Sequence, residues 1–184
     1  MAQLDNVRVA VLATDGVEEV ELTEPVKALR EAGATVKVFA PKSGQIQAFN
    51  HDTPGDKLDT EGTVDQANPN DFDALLLPGG ALNADAMRME PGVQSFIKAI
   101  HDADKPMAVI CHAPWEMVFA GIAKGHTMTS YHTIQDDVRN AGAQWVDKEV
   151  VVDGHLVTSR QPSDIPAFNR EMITLFSRVP ATSK

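Results

Sequence analysis

The stretch from residue 7 to residue 40, VRVAVLATDGVEEVELTEPVKALREAGATVKVFA, decides the fold. Residues 7–13 (VRVAVLA) are apolar at nearly every position and rich in valine. A half-exposed strand would alternate, so this run reads as a strand covered on both faces. After the Thr14-Asp15-Gly16 turn, Val20, Leu22, Val26, Leu29 and Ala32 recur at helical spacing and stop at Gly33. Residues 35–40 (TVKVFA) form a second strand. Strand, helix and strand within about 34 residues make a βαβ unit, which implies a parallel pair joined by a right-handed crossover.

The same alternation continues along the chain. Residues 73–77 (DALLL) and 107–110 (MAVI) read as two more buried strands, the first ending in Pro78-Gly79-Gly80 and the second at Cys111. Helices are expected over 91–101, 113–123, 133–141 and 163–177, the last with Ser163 as its N-cap and Pro166 in its first turn. A short strand is expected over 127–131, and a hairpin over 149–152 and 156–159 around Asp153-Gly154. Residues 41–70, rich in Gly, Pro, Asp, Thr and Asn, read as an excursion carrying a small hairpin at GQIQAF. The pattern gives an α/β fold. It is a three-layer α/β/α sandwich around a mostly parallel, flavodoxin-like sheet, with small antiparallel additions. A single domain is expected over residues 1–184.

Composition narrows the function. Apolar residues make up 43% and charged residues 23%, which excludes a disordered or collagen-like chain. The net charge of −10 opposes phosphate backbones and anionic lipid, so neither nucleic acid nor membrane is an expected partner. No apolar run reaches the ~18 residues of a membrane span, and no secretory signal is read at the start, so a cytoplasmic location is expected. Cys111 is the only cysteine, which excludes an internal disulfide and multi-cysteine zinc sites. The histidines His51, His101, His112, His126, His132 and His155 form no HExxH pair or tight cluster, and no metal or cofactor is expected.

In open α/β sheets ligands bind beyond the carboxyl ends of the strands. Three such ends carry unusual residues. Cys111 lies between a buried strand and a helix start, where a sharp turn presents a side chain as a nucleophile elbow. The helix start favours a thiolate there, although a lone cysteine at a strand end is also a common apolar filler. His112 is placed to act as base beside it, or is simply an exposed polar residue. Gly79 and Gly80 offer backbone amides for an oxyanion hole, and Pro-Gly-Gly equally makes a plain turn. The acidic run Glu18, Glu19, Glu21 and Glu24 suits a helix N-terminus, and one inward glutamate would stay protonated and donate to a thiolate. Consecutive helix positions turn by about 100°, so these glutamates do not all face inward, and spacing alone does not choose among them.

Four motifs taken together resemble the PfpI intracellular protease family, of the class I glutamine amidotransferase-like superfamily that also holds the parkinsonism-associated deglycase. They are Val109-Ile110-Cys111-His112-Ala113-Pro114, Leu77-Pro78-Gly79-Gly80, the run from Asp15 to Leu22 (DGVEEVEL), and the run from Ser159 to Phe168 (SRQPSDIPAF). The resemblance implies Cys111 as nucleophile, His112 beside it, Glu21 as the glutamate that hydrogen-bonds the cysteine, and Gly80 with His112 as oxyanion amides. It places Tyr131 near the site. In the PfpI-type proteases a carboxylate from a neighbouring subunit orients the histidine. Asp85 stands in that region, with the loop one residue longer and Asp in place of Glu. A homodimer or higher homo-oligomer is thereby implied.

Three functions follow as expectations. The first is a cysteine-dependent stress-response enzyme, glyoxalase- or deglycase-like, acting on small carbonyl compounds or their protein adducts. The second is a peptidase using Cys111, His112 and Asp85 across a subunit interface on a peptide substrate. The third is a non-enzymatic oxidative-stress sensor or chaperone working through Cys111 oxidation. A flavodoxin-like binding domain ranks below these, because no Gly-rich phosphate loop follows the first strand. Ammonia chemistry does not follow from the superfamily.

Overall fold

The computed structural model describes residues 2–180. The first half contains β1 (Arg8–Leu12), β2 (Val17–Glu18), α1 (Glu19–Glu31), β3 (Thr35–Ala40), β4 (Ile46–Asn50), β5 (Thr53–Leu58) and β6 (Gly62–Thr63). Next come β7 (Ala74–Leu77), α2 (Ala81–Met87), α3 (Pro91–Asp102), β8 (Met107–Ile110) and α4 (Pro114–Phe119). The chain closes with β9 (Thr127–Met128), α5 (Gln135–Asn140), β10 (Gln144–Trp145), β11 (Val151–Asp153), β12 (Leu156–Ser159) and α6 (Ile165–Phe176).

A seven-stranded sheet runs β11-β12-β8-β7-β1-β3-β6. All of its pairings are parallel except β11 with β12, the Asp153-Gly154 hairpin. A second small sheet pairs β2 with the β4–β5 hairpin, and β9 pairs with β10. The central strands β1, β7, β8 and β12 bury both faces. Val9, Val11, Leu76, Ala108 and Ile110 point into a core covered by α1 and α6. Their neighbours Ala10, Leu12, Leu75, Leu77, Met107 and Val109 enter the opposite core with α3, α4 and α5. Strict alternation between two cores explains why these strands read as unbroken apolar runs. The three-layer architecture expected from the sequence is therefore the one observed. No helix of the described residues is long and apolar enough to cross a membrane.

The deviations are local. The helix expected over 113–123 ends at Phe119, and Gly121 closes its exit with φ +75°. The last helix begins at Ile165, preceded by a 3-10 turn over Pro162–Asp164, and Ser163 is not its cap. Asp164 occupies the cap position. Its carboxylate accepts from Arg160 N, Nε and Nη2 at 2.9–3.0 Å, so it is drawn to the guanidinium instead of the helix amides. Helix α2 and strand β10 were not expected. The 133–141 helix opens as a 3-10 turn over His132–Ile134.

β1 lies between β3 and β7, so the chain winds out in opposite directions from it. The ends of β1, β7 and β8 consequently converge on one crevice, and all the candidate residues but one belong to it.

Candidate active site

Cys111 follows the last residue of β8 directly and adopts φ +65°, in the left-handed region. The sheet holds it there: its N–H donates to Ser159 O (3.0 Å), and its carbonyl accepts from Tyr131 N–H (2.7 Å). A side chain in this conformation costs about 1–2 kcal/mol, which the surrounding pairing sustains. Pro114 then opens α4. The result is the sharp strand-to-helix turn expected from the sequence, with the sulfur lifted off the sheet.

The Pro78-Gly79-Gly80 turn packs against it. A Cβ on Gly79 would lie 2.5 Å from Glu21 Oε1 and 2.6 Å from Cys111 Cβ, so only glycine fits. Gly80 has φ +96°. The amides of Gly80 and His112 donate toward the Cys111 sulfur. The resemblance implied these same two amides for an oxyanion hole.

Glu21 is fully buried on α1 and faces the thiol. Neither carboxyl oxygen makes a hydrogen bond of ordinary geometry, although the Cys111 thiol and Gly79 amide lie near enough to favour its charge weakly. Burial, followed by the nearby Glu18 charge, raises its pKa to about 8. Its neighbours on the run look elsewhere. Glu18 accepts from the His51 N–H (3.1 Å) and Glu19 from the Asp56 N–H (2.6 Å), both on the β4–β5 hairpin. Glu24 is exposed. Burial above all holds the Cys111 thiol well above its ordinary range, and the Gly80 and His112 amides, which pull it down, do not offset that. Cys111 is only 6% exposed.

The His112 Nδ1 lies 3.2 Å from the sulfur. Its ring stacks on Tyr131 (centroids 4.7 Å, planes 26°) and meets Trp115 edge-on at 5.5 Å. Burial, with the nearby His132, lowers its pKa to about 4, so it is a neutral imidazole near pH 7. No carboxylate of the described residues bonds it. Asp85, 61% exposed at its side chain, is turned to Arg88 (2.8 Å). Arg88 in turn stacks over Trp115 and Phe119 at 4.5 and 4.8 Å. The structure thus brings together Cys111, His112, Glu21, Gly79, Gly80 and Tyr131, and leaves Asp85 outside within one chain.

Two contributors escaped sequence reasoning. Asn83 braces the glycine turn, and Trp115 walls the histidine; only the apolar spacing of Ala81, Ala84 and Met87 hints at the helix that carries Asn83. Among the described residues no group of three or more His, Cys, Asp or Glu side chains is placed to hold a metal ion. Cavities of about 530 and 540 Å³ lie on other faces and are not lined by Cys111. Cys111 itself is nearly closed off from solvent.

The arrangement of one thiol, two amides and a protonated carboxyl coincides with a family match. The model of the DJ-1/PfpI family matches residues 7–175. The chain belongs to the DJ-1/PfpI family. The putative cysteine protease YraA of Bacillus subtilis is 40% identical over 168 residues, covering 91% of this chain and 97% of that one. The deglycase TK1284 of Thermococcus kodakarensis is 39% identical over 168 residues, covering 91% and 98%. The crystal structure of Drosophila melanogaster DJ-1beta superposes with a TM-score of 0.84 at 28% identity, covering 93% of this chain and 90% of that one. Relatives named for two different reactions thus share one scaffold, so the reaction has to be argued from the site.

Proposed function

We propose that this protein is a Cys111-dependent enzyme acting on small carbonyl compounds or their protein adducts. The observation that carries this reading is the buried Glu21 carboxyl, protonated to about pH 8, facing a thiol that two backbone amides also face. A protonated donor and two amides stabilise a thiolate, and later an oxyanion, without any charged partner. The deglycase name of a 39% identical relative supports the same reaction class.

With methylglyoxal the Cys111 thiolate adds to the aldehyde carbon. A C–S bond forms, and the carbonyl electron pair moves to oxygen, which takes the Glu21 proton. The Glu21 carboxylate so formed takes the proton of the sulfur-bearing carbon and returns it to the neighbouring carbon, while the hydroxyl proton passes to the former ketone oxygen, leaving a lactoyl thioester. Water then releases lactate and returns the thiol. With a hemiaminal adduct of a protein amine, the C–S bond forms as the C–N bond breaks; nitrogen keeps the bonding pair, takes the Glu21 proton and leaves as the amine, and the same hemithioacetal results. His112, neutral and 3.2 Å from sulfur, accepts the thiol proton when the nucleophile forms. The test is lactate formation from methylglyoxal by the native protein and by Cys111→Ser. Loss in the variant is expected, and equal rates would overturn the proposal.

A second reading, a peptidase across a subunit interface, has one observation in its favour. Leu82, Met89 and Phe119 are exposed apolar side chains around Asp85 and Arg88, a surface suited to a second copy of this chain. Such a homo-oligomer would bring a neighbour's Asp85 to the unpaired side of His112. A peptidase needs an imidazolium to protonate the leaving amine, and that carboxylate would supply the missing stabilisation. Peptide hydrolysis restored on mixing Asp85→Ala with Cys111→Ser subunits supports this reading. Full hydrolysis by Asp85→Ala alone removes it.

A further inference from the structure

Asn83 is fully buried on α2, and its amide joins three chain segments. Its Oδ1 accepts from Thr14 N–H (2.8 Å) at the end of β1. Its Nδ2 donates to the carbonyls of Pro78 and Gly79, both at 3.1 Å. The Gly79 carbonyl also accepts from Glu18 N–H (3.2 Å). In a trans peptide the carbonyl and the following N–H point in opposite directions. Fixing the Gly79 carbonyl on the Asn83 side therefore turns the Gly80 N–H to the other side, where the sulfur lies. Glycine at both positions leaves this peptide free to rotate unless something holds it.

We propose that Asn83 is a positioning residue that aims the Gly80 N–H at the Cys111 sulfur. The proposal rests on the nucleophile reading above and names the group that keeps its anion hole assembled. Asn83 touches neither sulfur nor substrate and acts only through the Gly79–Gly80 peptide. The Glu18 N–H holds the same carbonyl from a second segment at 3.2 Å, so the loss of Asn83 leaves one anchor where there were two.

The test is the pH dependence of iodoacetamide alkylation of Cys111 in the full chain, alongside thermal melting. Asn83→Ala removes both donors, and Asn83→Asp keeps the acceptor for Thr14 but offers Gly79 no N–H. Each is expected to slow alkylation at pH 7 by about tenfold, the loss of one charge-assisted hydrogen bond. A lower melting temperature with unchanged alkylation would show a merely structural role and overturn the proposal. Slowing in Asn83→Asp alone would also overturn it, since that is an effect of added charge. A readout on the native protein does not depend on either variant folding. The Gly80 amide resonance is expected to move with the Cys111 titration, and a Gly80 amide blind to it would refute the proposal. A native thiol inert at every pH would sink the nucleophile reading itself.

Discussion

Glu116 offers a sharp test of how this fold handles charge. It lies on α4, fully buried, and neither carboxyl oxygen has a hydrogen-bond partner. Burial pushes its pKa well above the usual carboxylate range. The unfolded carboxyl titrates near ~4.3, whereas the native one keeps its proton. The native state then binds more protons than the unfolded state, so stability is complete below ~4.3 and falls as pH rises toward the native pKa. Each pH unit between ~4.3 and the native pKa costs ~1.4 kcal/mol. Glu116→Gln removes the proton linkage and keeps the shape. Its advantage over the native protein is expected to grow by ~1.4 kcal/mol per pH unit from about pH 5 up to the native pKa. Each such unit is roughly 3–5 °C in melting temperature for a chain of this size. Urea unfolding at several pH values measures it, with unchanged m required. Glu21 contributes its own slope, but equally to both proteins, so it cancels in the difference. A pH-independent difference, or a glutamine variant less stable at pH 7.5, would refute the reasoning.

Turnover that depends on Cys111 is expected to fall below about pH 4, as His112 takes a proton, and above about pH 8, as Glu21 loses one. A pH–rate profile checks this, and Glu21→Gln, which has no proton to give or take, is expected to lose lactate formation at every pH. Alkylation at pH 7 is expected to be about tenfold slower in Glu21→Leu than in Glu21→Gln, because only glutamine retains a donor for the thiolate. Gly79→Ala drives a methyl group to within 2.5 Å of Glu21 Oε1 and 2.6 Å of Cys111 Cβ. Loss of lactate formation with a stability cost of about 1–3 kcal/mol is expected, read by assay and urea midpoint.

The sequence revealed the architecture because each central strand is buried on both faces, and such strands leave unbroken apolar runs. The elbow was legible as well, since Cys111 stands where a strand meets a helix opened by proline. Choosing among the glutamates required tertiary information. Glu18 and Glu19 are turned to amides of a hairpin more than 30 residues away in sequence, and Glu21 is the one that faces the thiol. Helix α2 was hidden for a local reason. It has seven residues, its N-cap Gly80 has φ +96° and offers no side chain, and half its surface faces solvent. Asn83 was invisible with it. The two-residue pairing of β9 with β10 is too short to leave a period in the sequence. Ser163 misled because a 3-10 turn displaces the helix start, and because Asp164 prefers Arg160 to the cap it occupies.

The left-handed backbone at residue 111 has an evolutionary consequence. Glycine is the amino acid that conformation accepts most readily, so Cys111→Gly would relax the turn while abolishing its chemistry. A population bred solely for heat resistance would therefore drift toward sturdy, inert descendants. Persistence of the sulfur under such breeding would itself measure how strongly the living cell demands it.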